Sequence, residues 1–176
     1  MRDPGHYVQF FDGDDSFVHA ASLFIQEGLE SSCTCILVTT PTHRGQIEAR
    51  LRESGCNPDV LASQYRYVAV DARSTLATFM KDGQLDSQRF HRDMGLLMRQ
   101  AASRGQPVHA TGNLVSLLME DGLATTALRL EELWNELSRH HNFTMLCGYA
   151  RAPFANAATS KIFDQLCAIH SHVVTG

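Results

Sequence analysis

Apolar and polar residues alternate along this chain in two repeating rhythms. Short β-rich runs are followed by longer stretches with apolar residues at helical spacing. "HYVQFF" (residues 6–11) reads as a first strand. "DGDDS" then supplies turn residues whose Asp and Ser side chains suit a helix N-cap. Phe17, Ala20, Ala21 and Phe24 follow at i, i+3, i+4, i+7 spacing, and Gly28 marks an end for that helix. "CTCILVTT" (33–40) is a continuous apolar run, as expected of a central strand covered on both faces. "HRGQIEARLRESG" reads as a helix stopped at Gly55.

The same alternation continues to the end. "YRYVAVDA" (65–72) is a third strand, followed by a short helix "STLATFMKDG" and a longer one capped by Asp86 and Ser87. "PVHATGN" (107–113) is a weaker fourth strand, with Pro107 at its tolerated first position. Two helices broken at Gly122 come next, then a fifth strand "FTMLCGYA" (143–150). "TSKIFDQLCAIHSHV" reads as a last helix with Ile162, Leu166 and Ile169 on its apolar face. Strands separated by helices require crossovers. The fold class is therefore α/β, with a mostly parallel central sheet and helices on both faces. At 176 residues the chain fits a single domain spanning 1–176.

Ligands of such sheets bind outside the carboxyl ends of the strands. That rule selects residues 12–16, 40–45, 72–74, 111–113 and 148–153. The most suggestive is "TTPTHRGQI" (39–47), which has the position and part of the spacing of a phosphate-binding loop. A working loop also needs a lysine on the phosphates and a hydroxyl on magnesium. Gln46 and Ile47 stand in those places, so efficient nucleotide hydrolysis is not expected. A plain turn, or an anion contact through His43, Arg44 and the helix N-terminus, remains open. Asp71, at the end of the third strand, suits either magnesium or the cap of the next helix.

Composition narrows the chemistry. Net charge is −4 and the pI near 6.1, with no basic stripe, which argues against direct nucleic-acid binding. No apolar run is long enough for a membrane span, and "MRDPGHYVQFFDGDD" lacks the apolar segment of a secretion signal. A cytoplasmic protein with no membrane association is the expectation. Its five cysteines are odd in number and most lie in apolar runs, which fits reduced, buried thiols. Cys167, His170 and His172 offer ligand atoms, but no second pair with metal spacing accompanies them, so no metal and no cofactor are expected. There is no nucleophile elbow. Asp14–Asp15 and Glu131–Glu132 are adjacent pairs, read as a cap and a solvated face rather than an acid/base couple. No catalytic residues are assigned. Trp134 lies on an apolar stripe with Leu123, Ala127, Leu130 and Leu137, either as core or as an interaction surface.

Taken in order, "GHYVQFF", "EGL", "TTPTHRGQIEARL", "VDARSTLATFMKDGQLDSQRF", "TGNLVSLLMEDG" with "RLEELWNEL", "LCGYARAPF" and "LCAIHSHV" resemble the MEDS domain, named for methanogen and methylotroph sensory proteins. The resemblance covers about residues 6–173. It implies a RecA/KaiC-like three-layer sandwich without a functional Walker loop, acting as a sensory or regulatory domain in bacterial signal transduction. It also implies small-molecule ligands such as hydrocarbon derivatives, and association with signalling proteins such as a histidine kinase or an anti-sigma regulator. One departure is Asn113, where relatives often carry Glu; Asn can only donate and accept hydrogen bonds. Combined with the strand-end rule, this gives His6, Thr40, His43, Arg44, Asn113 and Tyr149 as expected ligand-binding residues. The alternatives are an adaptor docking through the Trp134 helix or the last helix without a small ligand, and a degenerate nucleotide-binding protein. A homodimer is compatible with each.

Overall fold

The computed structural model describes residues 5–154 and 157–174. Six parallel strands form the centre: β1 (His6–Phe11), β2 (Thr34–Thr39), β3 (Tyr67–Asp71), β6 (Val108–Gly112), β7 (Phe143–Ala150) and β8 (His172–Val174). Their order across the sheet is β3-β2-β6-β7-β1-β8. Two further two-residue strands, β4 (Met80–Lys81) and β5 (Gln84–Leu85), pair antiparallel as a separate hairpin.

Helices cover both faces. On one lie α1 (Asp14–Glu30), α2 (Pro41–Glu53) and α3 (Pro58–Ser63), packing Phe17, Ile25, Ile47, Leu51 and Leu61 against Phe11, Cys35, Leu37 and Tyr67. On the other lie α4 (Ala72–Phe79), α5 (Ser87–Ala101), α6 (Leu114–Glu120), α7 (Ala124–Ser138) and α8 (Ala157–Ile169). They close over Val8, Phe10, Ile36, Val38, Met145, Cys147 and Tyr149. Alternate residues of each strand thus face opposite layers, as the period-2 geometry demands. The three-layer α/β sandwich is the architecture expected from the alternating pattern.

Several local expectations change. Gly28 does not end α1, which runs to Glu30. A Cβ there would lie 2.8 Å from Cys35 Sγ and 2.9 Å from His109 Nδ1, so this glycine permits close helix-to-sheet packing. The α1 N-cap is Gly13, and no side chain caps it. The segment after Cys56 forms α3, begun by an Asn-Pro pair whose Asn57 Oδ1 accepts from Asp59 N at 3.0 Å. The last helix stops at Ile169 and the chain turns into β8, which adds to the far side of β1. Trp134 is 1 % exposed and packs edge-on against Phe90 in the core. It is therefore not a docking surface.

The sheet order creates reversals of connection, one between β2 and β6 and another between β1 and β7. From β1 the chain crosses over β7 and β6 through α1 to reach β2. From β7 it passes beyond β1 through α8 to reach β8. Neighbouring strands β1 and β7 therefore send their connections in opposite directions and onto opposite faces. Such a reversal leaves a gap at the strand carboxyl ends, where α/β proteins bind ligands.

Candidate functional site: a strand-end crevice and a buried polar cluster

At the carboxyl ends of β1 and β7 the chain leaves two adjoining depressions. The inner one, of about 50 Å³, is lined by Phe11, Phe17, His43, Asn113, Gly148 and Tyr149, among others. The outer one is an open groove of about 610 Å³ with Phe11, Arg151, Ala152, Phe154 and Phe163 along it. Phe11, Gly13 and Ala150 border both. Gly148 shapes the floor, since a Cβ there would lie 2.6 Å from the Phe17 ring. Phe10, Phe154 and Phe163 pack edge-to-face or tilted against one another, with centroids 4.5–5.7 Å apart, and build an aromatic wall behind the groove. At its rim Arg151 Nε lies 3.0 Å from Asp12 Oδ1.

A hydrogen-bonded chain forms the polar side of the inner depression. Thr39 Oγ1 donates to Asn113 Oδ1 at 2.9 Å, which leaves Asn113 Nδ2 to donate to His43 Nδ1 at 3.2 Å. That fixes His43 with its Nε2 hydrogen facing Asp14 Oδ1, 3.3 Å away. Asn113 is thus a positioned amide that ties β2, β6, α2 and α1 together at one edge.

Three of the six expected ligand-binding residues, His43, Asn113 and Tyr149, come together here. Thr40 instead serves as the α2 N-cap, accepting from His43 N at 3.4 Å. Arg44 lies along α2, with Nε 2.7 Å from Glu48 Oε1, and does not line the crevice. His6 is the first residue of a parallel strand and stands at the opposite, amino end of the sheet. The stretch 39–47 is a plain turn: β2 ends at Thr39, Thr40 caps and Pro41 opens the helix. Gly45 sits exposed inside α2, so no backbone cradle for phosphates exists there. Asp71 takes the capping role, its Oδ1 accepting from Ser74 N at 2.7 Å.

Beneath the sheet, on the α7/α8 face, His6 meets three residues remote in sequence. His6 Nε2 lies 3.1 Å from Glu131 Oε2 and 3.2 Å from Cys147 Sγ. Cys147 Sγ lies 3.6 Å from Glu131 Oε2, and His170 Nε2 3.5 Å from Glu131 Oε1. Tyr149 OH donates to Glu131 Oε1 at 2.6 Å, connecting this cluster to the crevice that Tyr149 lines. The backbone at the C-terminal turn locks the arrangement, since Ser171 N donates to His6 O and Ser171 Oγ accepts from His6 N.

Glu131 is 0 % exposed, which overturns its reading as part of a solvated face; only its neighbour Glu132 faces water. Burial pushes the Glu131 carboxyl up, but the imidazoles of His170 and His6 outweigh it and hold it well below the usual carboxylate range. For His170, burial pulls down while the Glu131 charge pulls up, and the net direction is up. Burial, reinforced by the same negative charge, raises the Cys147 thiol and the Tyr149 phenol well above their ordinary values. Of the sequence trio Cys167, His170 and His172, only His170 enters the cluster. His172 lies on β8 and stacks on Tyr7, ring centroids 4.4 Å apart.

One signal for this cluster lay in the sequence. Glu131 is four residues after Ala127 and three before Trp134, on the apolar stripe of α7 itself. A carboxylate on a buried stripe requires partners. Nothing in local spacing named them, because they come from β1, β7 and the turn after α8.

No helix among the described residues is long and apolar enough to cross a membrane. No curated protein matches the chain. Residues 5–171, nearly its whole length, match the family described as MEDS, the methanogen/methylotroph DcmR sensory domain. The chain belongs to the MEDS family of sensory domains.

Proposed function

We propose that this sensory domain recognises a small, largely apolar molecule in the groove at the ends of β1 and β7, and that it does so without catalysis. The observation that carries the reading is the groove itself. It occupies a topological reversal of the sheet, has the roughly 300–1,000 Å³ size of small-molecule sites, and sets Phe11, Phe154 and Phe163 beside the ion pair of Arg151 with Asp12, whose guanidinium a ligand's acidic end can share. Such a wall suits a hydrocarbon skeleton with one polar or acidic end. A triphosphate suits it poorly. The turn after β1 carries Asp12, and Asp14 and Asp15 occupy the first turn of α1, so negative charge already stands where a phosphate would dock. As a recognition module the domain passes its state to another signalling protein, such as a histidine kinase or an anti-sigma regulator, or to a second copy of itself.

Thermal-shift screening of the purified protein against small hydrocarbon derivatives tests this. A ligand at one hundred times its dissociation constant adds about 2.7 kcal/mol, a rise in Tm of roughly 5–10 °C for a chain of this length. Phe163→Ala should remove that rise while leaving the unliganded Tm within about 5 °C, since the residue is only partly buried. If no compound in the panel moves the Tm and a kinase or sigma-factor regulator co-purifies instead, the protein is an adaptor. Magnesium-dependent turnover of ATP or GTP would replace both readings with nucleotide chemistry.

A further inference from the structure

We infer that His6, Glu131, Cys147 and His170 form a closed tetrahedral site for a divalent late first-row transition metal ion, with zinc the best match. The geometry is that of ligands already gathered. One donor atom from each residue lies within 4.8 Å of all the others, and every residue is buried. His6 Nε2, Glu131 Oε2 and Cys147 Sγ are separated by 3.1, 3.2 and 3.6 Å, and His170 Nε2 stands 3.5 Å from the other carboxylate oxygen, Oε1. Metal–ligand bonds of about 2.0–2.3 Å put the corners of a tetrahedron roughly 3.3–3.7 Å apart, so small adjustments admit an ion at the centre.

The hydrogen bonds behind the histidines point the same way. Asn135 Nδ2 donates to Ile169 O at 2.8 Å, which turns Asn135 Oδ1 toward His6 Nδ1, 2.9 Å away. His170 Nδ1 donates to Leu166 O at 2.7 Å. Both Nδ1 atoms therefore carry hydrogens, and in the neutral rings both Nε2 lone pairs aim into the cluster. Metal-binding histidines are oriented by such carbonyl acceptors. His170 Nε2 is fully buried and makes no well-formed hydrogen bond, its contact to Glu131 Oε1 being 3.5 Å long. An ion at the centre gives that lone pair a close partner.

Charge agrees as well. On binding, the Cys147 thiol and any imidazolium in the cluster release their protons to solvent. Cys147 thiolate and Glu131 carboxylate then cancel the two positive charges of the ion, leaving a neutral buried centre. Thiolate with imidazole favours zinc over magnesium or calcium. Four protein ligands and no open position make this a site that fastens structure. It would join the start of β1, the middle of α7, β7 and the turn before β8.

Metal analysis and cobalt substitution of the tag-free full chain decide the matter. The expected result is about one equivalent of zinc per chain surviving dialysis. Cobalt(II) should give a thiolate-to-metal charge-transfer band and intense tetrahedral visible bands. Cys147→Ser should abolish the charge-transfer band. Asn135→Ala, which removes no ligand but takes away the support behind His6 and the bond to Ile169 O, should weaken zinc binding about 10–100-fold with an unchanged far-ultraviolet circular dichroism spectrum. Folded wild-type protein that retains less than about one-tenth of an equivalent after incubation with zinc, and leaves cobalt with the spectrum of the free aquo ion, overturns the inference. So does Cys147→Ser protein that is folded and keeps the charge-transfer band.

Discussion

Single atoms decide much at the two sites. Tyr149 holds its hydroxyl 2.6 Å from Glu131 Oε1 with no exposed surface. Tyr149→Phe keeps the ring and removes only that donor, leaving a buried carboxylate oxygen short of a partner. The expected loss is about 1–3 kcal/mol, read from urea unfolding at pH 7. Gly112 is constrained by sterics alone. A Cβ at this position would stand 2.0 Å from the backbone oxygen of Val38, an atom that cannot withdraw without breaking the β2–β6 ladder. Gly112→Ala should therefore cost about 3 kcal/mol or more, with loss of folded yield at 37 °C as the simplest readout. Asn113 beside it takes a positional role, bonding Thr39 and His43, where a glutamate would bring charge.

Elements were legible where their chemistry is local. Asp71 is an example, since a helix cap was one of the two roles open to a carboxylate at that strand end, and its Oδ1 does accept from Ser74 N. That backbone bond holds its pKa below the ordinary value. The stabilisation is thus fully present above the unfolded carboxyl pKa, near 4, and is lost as pH falls through the lower folded value. Asp71→Ala should cost about 1 kcal/mol at pH 7, and the gap to wild type should close in acid. Asp71→Asn, an equally good cap, should retain most of the stability and remove that part of the pH dependence. The five long strands were readable for a similar reason, since β-rich runs bounded by turns need no distant information. β8 was not, because three residues after a helix look like its continuation until β1 is present to pair with them. The strand-end rule likewise brought His43, Asn113 and Tyr149 to the crevice. His6 lay outside the segments that rule selects; the first residue of a parallel strand stands at the far end of the sheet. The four-residue cluster had no spacing motif because its members meet only after the sheet has assembled.

At the scale of the whole molecule, the C-terminal segment performs two tasks that can be separated. It brings His170 beneath the sheet, and it lays β8 along β1 through the pairs Tyr7↔His172, Val8↔Val173 and Gln9↔Val174. Without β8, one side of β1 becomes a sheet edge, and its sequence HYVQFF is apolar and carries no Lys, Asp or Pro to discourage pairing with another chain. His170→Ala removes the first contribution and leaves the second, because the pairing in β8 is made by backbone. Deletion of residues 170–176 removes both. The variant should lose stability, on the order of 2–4 kcal/mol for an emptied, formerly buried imidazole site, yet keep the oligomeric state of the intact chain. The truncated chain should lose at least as much and also associate with rising concentration, detectable by light scattering or sedimentation velocity. Equal association by both proteins would show that the polar cluster, and not strand cover, protects β1. A truncated chain as dispersed and as stable as the intact one would mean that β8 contributes neither.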